Sequence, residues 1–220
     1  MEPKFSDYFP FWGKLTEEQR RGLEAAAVWR HVPAGTVLHR GGADCEGLFL
    51  LCRGQLRAYI LSDEGKEITL YRLFDRDMDL LAATCIFNSI QFDVMIEAER
   101  ETWLWVIPPR VYQALTQVSL PAANYTHELM AARFSEVMWL LDQILFRRFD
   151  SRLAGFLLEE RRIEGADLLP LTHERIARHL GTAREVVTRM LKYFQSEGMV
   201  ELSRGGVRVL DEGKLARLAG

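Results

Sequence analysis

Four polar residues near the C-terminal end of the chain have the types and the spacing needed to contact DNA bases. They are Arg184, Glu185, Thr188 and Arg189. Arginine presents a two-pronged donor that matches guanine O6 and N7, and glutamate accepts from the amino group of cytosine. Each good pair discriminates between bases by about 1–3 kcal/mol. We predict that these four residues contact bases, with Thr188 reaching only a phosphate or a thymine methyl group. Two narrower roles stay open, in which Glu185 only caps a helix and Arg184 contacts only phosphate.

Two short helices joined by a tight turn are expected to position these residues. The first has apolar residues at helical spacing, which are Ile176, Ala177 and Leu180. Gly181 then supplies the left-handed backbone that the end of a helix prefers. Thr182 is predicted to begin the second helix as its N-cap, with Glu185 three residues later completing a capping box. The pattern is that of a helix-turn-helix, whose second helix enters the DNA major groove.

The second helix has one apolar side and one polar side. The residues predicted to be buried are Val186, Val187, Met190, Leu191 and Phe194. Because these recur at steps of three and four, they form a single stripe on the helix. The charged residues, with Lys192 among them, are left for the outer side.

The segment TAREVVTRMLKYF resembles the recognition helix of the CRP/FNR family of bacterial transcription regulators. That family carries a Glu, then a Ser or Thr three residues later, then an Arg, and Glu185, Thr188 and Arg189 match this order. Members that bind TGTGA-type half-sites add an Arg before the Glu, and Arg184 occupies that position. The resemblance implies a homodimer on palindromic TGTGA- or TTGA-like half-sites, with double-stranded DNA and RNA polymerase as partners.

The rest of the chain supports an α+β protein. Short strands with glycine-rich turns follow one another from about His31 to Pro108, and SDEGKE with Gly65 is a hairpin signal. Many short strands of this kind favour a closed roll or barrel. The expected organisation is a β-roll sensor domain over residues 1–120, a dimerisation helix over 121–147 and a winged helix-turn-helix domain over 148–220. The roll resembles a cyclic-nucleotide-binding domain.

A long helix after Pro121 carries apolar residues at alternating steps of four and three. The seam positions are Met130, Phe134, Val137, Leu141 and Ile144, preceded by Ala123 and His127. Such a repeat is typical of a coiled coil and implies a partner helix. We predict a parallel homodimer, since a two-fold axis in the protein is needed to match a palindrome. A single amphipathic helix packed on its own roll is the alternative.

Polar residues around the two helices are predicted to contact the DNA backbone. They are Thr172, Thr182, Lys192, Arg204 and Arg208. The last two lie on a hairpin, Val200 to Leu210, that forms the wing of a winged helix. Contacts of this kind position a protein on DNA without specifying the sequence.

Charge is distributed unevenly along the 220 residues, which carry a net charge of -3. Residues 1–169 contain 19 Lys and Arg against 25 Asp and Glu, a net charge of -6. Residues 170–220 contain 9 against 6, a net charge of +3. A small basic module beside an acidic body is the pattern expected when one end meets phosphates.

The cysteines and the apolar runs indicate in which cellular compartment the protein is expected. Cys45, Cys52 and Cys85 form no CxxC pair, which argues against a zinc finger or a disulfide framework. We therefore expect a reducing cytoplasm. The N-terminus does not resemble a signal peptide, and the longest apolar runs are too short to span a membrane, so no membrane partner is expected.

The segment that would hold a cyclic nucleotide lacks the residues for it. In the family, a Gly-Glu-Leu turn and a following Arg hold the cyclic phosphate. Residues 76–99 contain no glycine, and Phe92, Asp93 and Val94 stand where the Arg is expected. Because Asp93 would repel a phosphate, we predict that cyclic AMP is not the effector. The spread of the cysteines likewise argues against an iron–sulfur cluster.

Other effectors stay open. Cys85 could act as a redox thiol or as a haem ligand, or be only a small buried residue. His127 could act as a ligand or a proton switch on the seam, or be merely hydrogen-bonded. An apolar pocket for an organic molecule is the third idea, lined by the long helix and by Leu80, Leu81, Ile86 and Phe87.

A cupin-like metal-dependent enzyme is the alternative from a different functional class. Rolls of this shape often hold a metal ion. Such a site needs clustered histidines and carboxylates on the strands, whereas His31 and His39 lack a suitably spaced third ligand. We therefore predict a regulator with no metal and no catalytic residues.

Overall fold

A computed structural model describes residues 4–41, 47–80 and 93–220 of the chain. Its contacts separate two compact units. The first comprises Met1–Leu61 and Leu70–Val137, and the second comprises Ser62–Thr69 and Met138–Gly220. Six residues named above lie outside the described residues, which are Cys45, Leu81, Cys85, Ile86, Phe87 and Phe92.

The N-terminal half of the chain is a β-roll followed by helices. Its elements are α1 (Glu17–Ala26), β1 (Val28–Val32), β2 (Val37–Arg40), β3 (Leu48–Arg53), β4 (Leu56–Leu61), β5 (Glu67–Leu73), β6 (Met78–Asp79), β7 (Met95–Ala98), β8 (Thr102–Ile107), α2 (Pro109–Val118) and α3 (Leu120–Phe146). Within the described residues these strands form two four-stranded sheets, in the orders β1-β8-β3-β6 and β2-β7-β4-β5. Fully buried residues from both sheets, such as Leu51, Ile96 and Leu104, share one core cluster. The predicted roll is confirmed.

Strand β4 is buried on both faces, although its alternating sequence predicted a half-buried strand. Leu56 and Ala58 belong to the core, but Arg57 is also only 3% exposed. Its guanidinium lies 3.1 Å from a carboxylate oxygen of Glu97 and sits over the ring of Tyr59. Because the charge is paired and stacked, Arg57 can be buried without an isolated charge in the interior.

Two local structures predicted from the sequence, a capping box and a turn, are present. Thr16 and Gln19 make the capping box at the start of α1, where each side chain bonds the backbone N–H of the other residue. Gly65 has φ of 78° in the turn between β4 and β5, where Ser62 N–H donates to the Lys66 carbonyl.

Helix α3 is 27 residues long. Its buried residues, Ala122, Thr126 and Arg133, define the side packed on the first unit. Of the seam residues, Met130 is partly buried against the core of the roll and Val137 is half-buried. The other three are exposed: Phe134 (68%), Leu141 (42%) and Ile144 (37%).

The second unit contains α4 (Phe149–Glu164), β9 (Leu168–Leu169), α5 (His173–Leu180), α6 (Arg184–Ser196), β10 (Val200–Ser203), β11 (Gly206–Val209) and α7 (Glu212–Ala219). Strands β10, β11 and β9 form an antiparallel sheet in that order. A single apolar cluster joins the helices to this sheet, with Leu157, Val187 and Val207 among its buried members. Helices α5 and α6 and the β10–β11 hairpin are the predicted helix-turn-helix and wing. Among the described residues, no helix is long and apolar enough to cross a membrane.

Candidate nucleic-acid interface

Helix α5 is capped at both ends. At its start, Thr172 Oγ1 accepts a hydrogen bond from the backbone N–H of Arg175 at 3.1 Å. At its end, Gly181 has φ of 65° and donates its N–H to the Ala177 carbonyl. The predicted glycine cap is confirmed, since this left-handed conformation is easily reached only without a Cβ.

Helix α6 starts at Arg184, and the predicted capping box is wrong. Its N-cap is Ala183, and no side chain caps it. The backbone N–H of Thr182 instead donates to the Ala177 carbonyl of α5 at 3.1 Å, so Thr182 completes the end of the preceding helix. Glu185 makes no hydrogen bond or ion pair among the described residues, so the role of a helix cap falls away. Its carboxylate is available to an outside donor.

The buried side of α6 fixes which residues face outward. Val187, Leu191 and Phe194 are fully buried in the core of the second unit. Val186 and Met190 are half-buried at the edges of this stripe. Because α6 is anchored along three turns, its opposite side has a defined orientation in solvent.

The outward side of α6 carries the charged residues predicted to contact DNA. Arg184, Glu185, Arg189 and Lys192 are all exposed, and none makes a hydrogen bond or ion pair with another described residue. Arg184, Thr188 and Lys192 are spaced by four and form one row, beside a row that contains Glu185 and Arg189. Two unpaired guanidinium groups in the first two turns of an anchored helix can act as fixed donors to a ligand.

Thr188 is half-buried because a residue of α5 contacts it. Its Oγ1 lies 2.8 Å from Nδ1 of His173, the first residue of α5. Burial lowers the pKa of His173, and the positive charges of Arg184 and Lys192 lower it further. Sequence reasoning missed His173, because the contact joins residues that are 15 positions apart. Its only signal was its place beside the capping Thr172.

The wing places two arginines at the tip and on the flank of a hairpin. Arg204 is exposed in the turn and has no partner among the described residues. Arg208 on β11 faces Glu201 on β10, at 3.5 Å between Nε and Oε2. Gly206 has φ of 140°, and a Cβ at this position would collide with the Leu169 carbonyl oxygen. The tight approach of β9 to the hairpin therefore requires glycine.

Comparison with known proteins identifies the two halves of the chain. Residues 29–119 match the model of the cyclic nucleotide-binding domain, and residues 151–218 match that of the Crp-like helix-turn-helix domain. A crystal structure from Eubacterium rectale, of a protein assigned to the CRP/FNR family of transcriptional regulators, is 56% identical to this chain. It superimposes with a TM-score of 0.94, over 97% of this chain and 99% of that one. This chain belongs to the CRP/FNR family.

Two more distant relatives are named as a receptor protein and a regulatory protein. The cyclic AMP receptor protein of Thermus thermophilus is 27% identical over 190 residues, which is 86% of this chain and 87% of that protein. The fumarate and nitrate reduction regulatory protein of Escherichia coli K12 is 24% identical over 200 residues, 86% and 77% of the two chains. Since the relatives and the fold are those of transcription regulators, this CRP/FNR protein is not an enzyme.

A cavity of about 420 Å³ in the first unit brings together two of the predicted effector residues. It is lined by Leu80, Tyr112, Gln113, Thr116, Gln117, Ala123, Thr126 and His127. Its size lies in the range of small-molecule sites. Tyr112 and Thr126 share a hydrogen bond of 3.0 Å between their hydroxyls, and burial raises the pKa of Tyr112 to about 12. No Arg, Lys, Asp or Glu side chain lines this cavity, unlike the outward side of α6.

A second polar group in the roll surrounds Arg133 of α3. The Tyr71 hydroxyl donates to Asp79 at 2.7 Å, and the Arg133 guanidinium lies over the Tyr71 ring. Arg133 also bonds the Glu136 carboxylate at 2.8 Å. Burial and the Asp79 charge raise the pKa of Tyr71 well above its usual value. The seam pattern in the sequence gave no sign that Arg133 would turn inward.

Neither histidines nor the described cysteine form a metal site in the part of the chain that the structure covers. Among those residues no three His, Cys, Asp or Glu side chains are placed to hold a metal ion. His31 bonds Glu101 at 2.8 Å, whereas neither ring nitrogen of the buried His39 has a hydrogen-bond partner. Burial raises the pKa of the Cys52 thiol to about 11, so this thiol is protonated and unreactive at neutral pH. The family membership lends no support to a cupin-like enzyme.

Proposed function

We propose that two copies of this CRP/FNR regulator pair through helix α3 and present both α6 helices to a palindrome with TGTGA- or TTGA-like half-sites. The observation that supports this most directly is the unpaired state of Arg184, Glu185 and Arg189 on the outward side of α6. Exposed charges that lack protein partners keep their full hydrogen-bonding capacity for DNA. In a two-fold dimer the α6 helices would lie about 34–36 Å apart, one turn of B-DNA.

Each residue of α6 has a distinct role in this proposal. Arg189 and Arg184 donate to guanine O6 and N7, and Glu185 accepts from cytosine. Thr188 contacts a phosphate or a thymine methyl group. The residues that bind the backbone are Thr172, Thr182, Lys192, Arg204 and Arg208. We expect Arg208 to contribute less than Arg204, because Glu201 already lies 3.5 Å from its guanidinium.

Dimerisation is supported by apolar residues of α3 that are exposed to solvent. Phe134, Leu141 and Ile144 are exposed at alternating steps of seven and three. A second copy of the helix would remove these side chains from water, at about 25 cal/mol per Å² of buried apolar surface. Met130 and Val137 would contribute from the edge, since both are already partly buried.

An effector would act by favouring one of two arrangements of the paired helices. Within the described residues, the cavity lined by Leu80 and His127 is the proposed effector-binding site. Its polar side chains suit an organic molecule with hydrogen-bonding groups. Cyclic AMP remains excluded in this proposal, and haem or a redox thiol at Cys85 stays an alternative. The cytoplasm, where DNA and RNA polymerase are found, is the proposed location.

Selection of bound sequences from random DNA tests the specificity, and sedimentation of the complex tests the dimer. The expected result is a palindrome with guanine-containing half-sites, bound by two chains. Enrichment of no sequence, or binding of a single chain to a single half-site, would contradict the proposal. Calorimetry with cyclic AMP and an absorption spectrum in the Soret region test the effector. Micromolar cyclic AMP binding would overturn its exclusion.

A further inference from the structure

His173 makes a polar contact with the DNA-facing helix and has a second ring nitrogen without a partner among the described residues. Its Nδ1 lies 2.8 Å from the Thr188 hydroxyl on the outward row of α6. Nε2, on the other edge of the ring, makes no hydrogen bond with any described residue, and the side chain is only half-buried. One ring nitrogen is therefore fixed to a residue of the DNA-facing helix, while the other remains free for an outside partner.

The charges around the ring indicate what that partner is. The charged groups that act on His173 are Arg184 and Lys192, one turn of α6 before and one turn after Thr188. Both are cations, and no carboxylate from the described part of the chain contributes beside them. A ring nitrogen that is free to donate between two cations is suited to an anion, and the anion available to a helix in the major groove is a backbone phosphate.

We propose that His173 binds a DNA phosphate through Nε2 while it holds the Thr188 hydroxyl through Nδ1, so that sequence-specific binding takes up a proton. This inference rests on the proposed function, in which α6 faces the bases. It makes His173 a backbone contact and a positioning residue for Thr188.

The two protonation states present different groups to DNA. In the neutral ring with its proton on Nε2, Nδ1 accepts from the Thr188 hydroxyl, whose lone pairs then face outward. In the protonated ring both nitrogens donate, so Nδ1–H bonds the Thr188 oxygen and the hydroxyl proton turns outward. Thr188 thus changes from an acceptor to a donor, and His173 gains a charge opposite the phosphate.

The direction of the pH dependence follows from linkage. In the free protein, burial, Arg184 and Lys192 hold the pKa of His173 below its usual value, which favours the neutral ring. A bound phosphate favours the charged ring and raises the pKa in the complex. Affinity for DNA therefore increases as the pH falls through the pKa of the complex, and it levels off below the pKa of the free protein. The gain is at most about tenfold per pH unit.

Fluorescence anisotropy with the selected palindrome, at constant ionic strength between about pH 5.5 and about pH 8.5, tests the proposal. His173→Gln keeps a polar side chain but does not titrate. We expect it to lose the pH dependence, with about a tenfold loss of affinity at the acidic end and less than about a twofold loss at the alkaline end. Thr188→Val should keep the pH dependence and weaken binding to the palindrome and to random DNA alike, because the hydroxyl that His173 positions is lost. His31→Gln, which changes an exposed histidine of the first unit, is the matched control.

The outcomes separate this inference from the function on which it rests. If His173→Gln keeps the full pH dependence of the native protein, or if His31→Gln abolishes it, the proposal is wrong even though specific binding survives. If Thr188→Val binds both kinds of DNA with the affinity of the native chain, the positioning role is wrong. If Arg189→Ala binds the palindrome and random DNA as the native chain does, it is the proposed function that fails.

Discussion

Arg72 of the first unit and two arginines of the second unit, Arg184 and Arg189, have opposite environments. In the first unit, Arg72 and Glu99 are 3.0 Å apart, and their side chains are only 6% and 4% exposed. Glu99 also accepts from the Gln55 amide at 2.7 Å. In the second unit, Arg184 and Arg189 are exposed and have no ion pair among the described residues. One chain of nearly balanced charge thus contains both a buried, paired arginine and two exposed arginines.

This difference separates structural cations from binding cations. A buried guanidinium is tolerated only with a partner, because an isolated charge in the interior costs far more than it contributes. An exposed guanidinium needs no partner, since water solvates it, and it can exchange that water for a phosphate or a guanine. Exposure without a partner is therefore needed for the proposed DNA contacts but does not by itself identify them, since Arg40 and Arg110 of the first unit are exposed as well.

Breaking a buried pair should have the largest effect. Glu99→Ala removes the carboxylate that lies 3.0 Å from the buried Arg72 guanidinium, and we expect the free energy of unfolding to fall by about 3–5 kcal/mol. Urea denaturation followed by tryptophan fluorescence measures the change. The matched control is Arg21→Ala, which removes an exposed pair with Glu17 and should change stability by less than about 0.5 kcal/mol. Equal losses of stability in the two variants would show that the buried pair and the exposed pair contribute alike.

Removing a binding cation should affect specificity and spare stability. Arg189→Ala is expected to weaken binding to the palindrome by about 1–3 kcal/mol while random DNA is bound nearly as before. Arg204→Ala is the matched variant on the wing. It should weaken both kinds of DNA alike and reduce the salt dependence by about one ion, because it loses a phosphate contact.

Titrations of both variants at several salt concentrations measure these effects. A uniform loss with Arg189→Ala, or a loss restricted to the palindrome with Arg204→Ala, would reverse the assignment of the two roles. Unchanged denaturation curves would show that the losses come from the interface and not from misfolding.

The smallest expected effect concerns the ends of α5 and α6. Thr172 caps α5 through its side chain, whereas Thr182 contributes only its backbone N–H. Thr172→Ala should therefore cost about 1 kcal/mol of stability, and Thr182→Ala less than about 0.5 kcal/mol. Thermal denaturation compares them. A larger loss of stability for Thr182→Ala would contradict this arrangement and support a capping box at Thr182.

Local patterns predicted most of the architecture. Apolar periodicity located α5 and α6, and Gly65 and Gly181 marked a turn and a helix end. These signals are reliable because each depends on residues within one or two helical turns of one another. The charged residues of α6 could also be found, since an amphipathic helix must leave its polar side to solvent. The family resemblance added the half-sites and the dimer, which remain predictions.

Contacts between distant residues could not be predicted in this way. The burial of Arg57 depends on Glu97, 40 positions away, and the environment of Thr188 depends on His173. In α3 the same repeat that predicts a seam also contains Arg133, which the fold turns toward Tyr71.

The sequence by itself therefore determined which segments are helices and strands and which helix carries the charges that are proposed to bind DNA. Only the tertiary structure decided which charged and polar groups are paired and which are free. The reason is physical: secondary structure follows from neighbours along the chain, whereas pairing and burial depend on groups that meet only after the chain has folded.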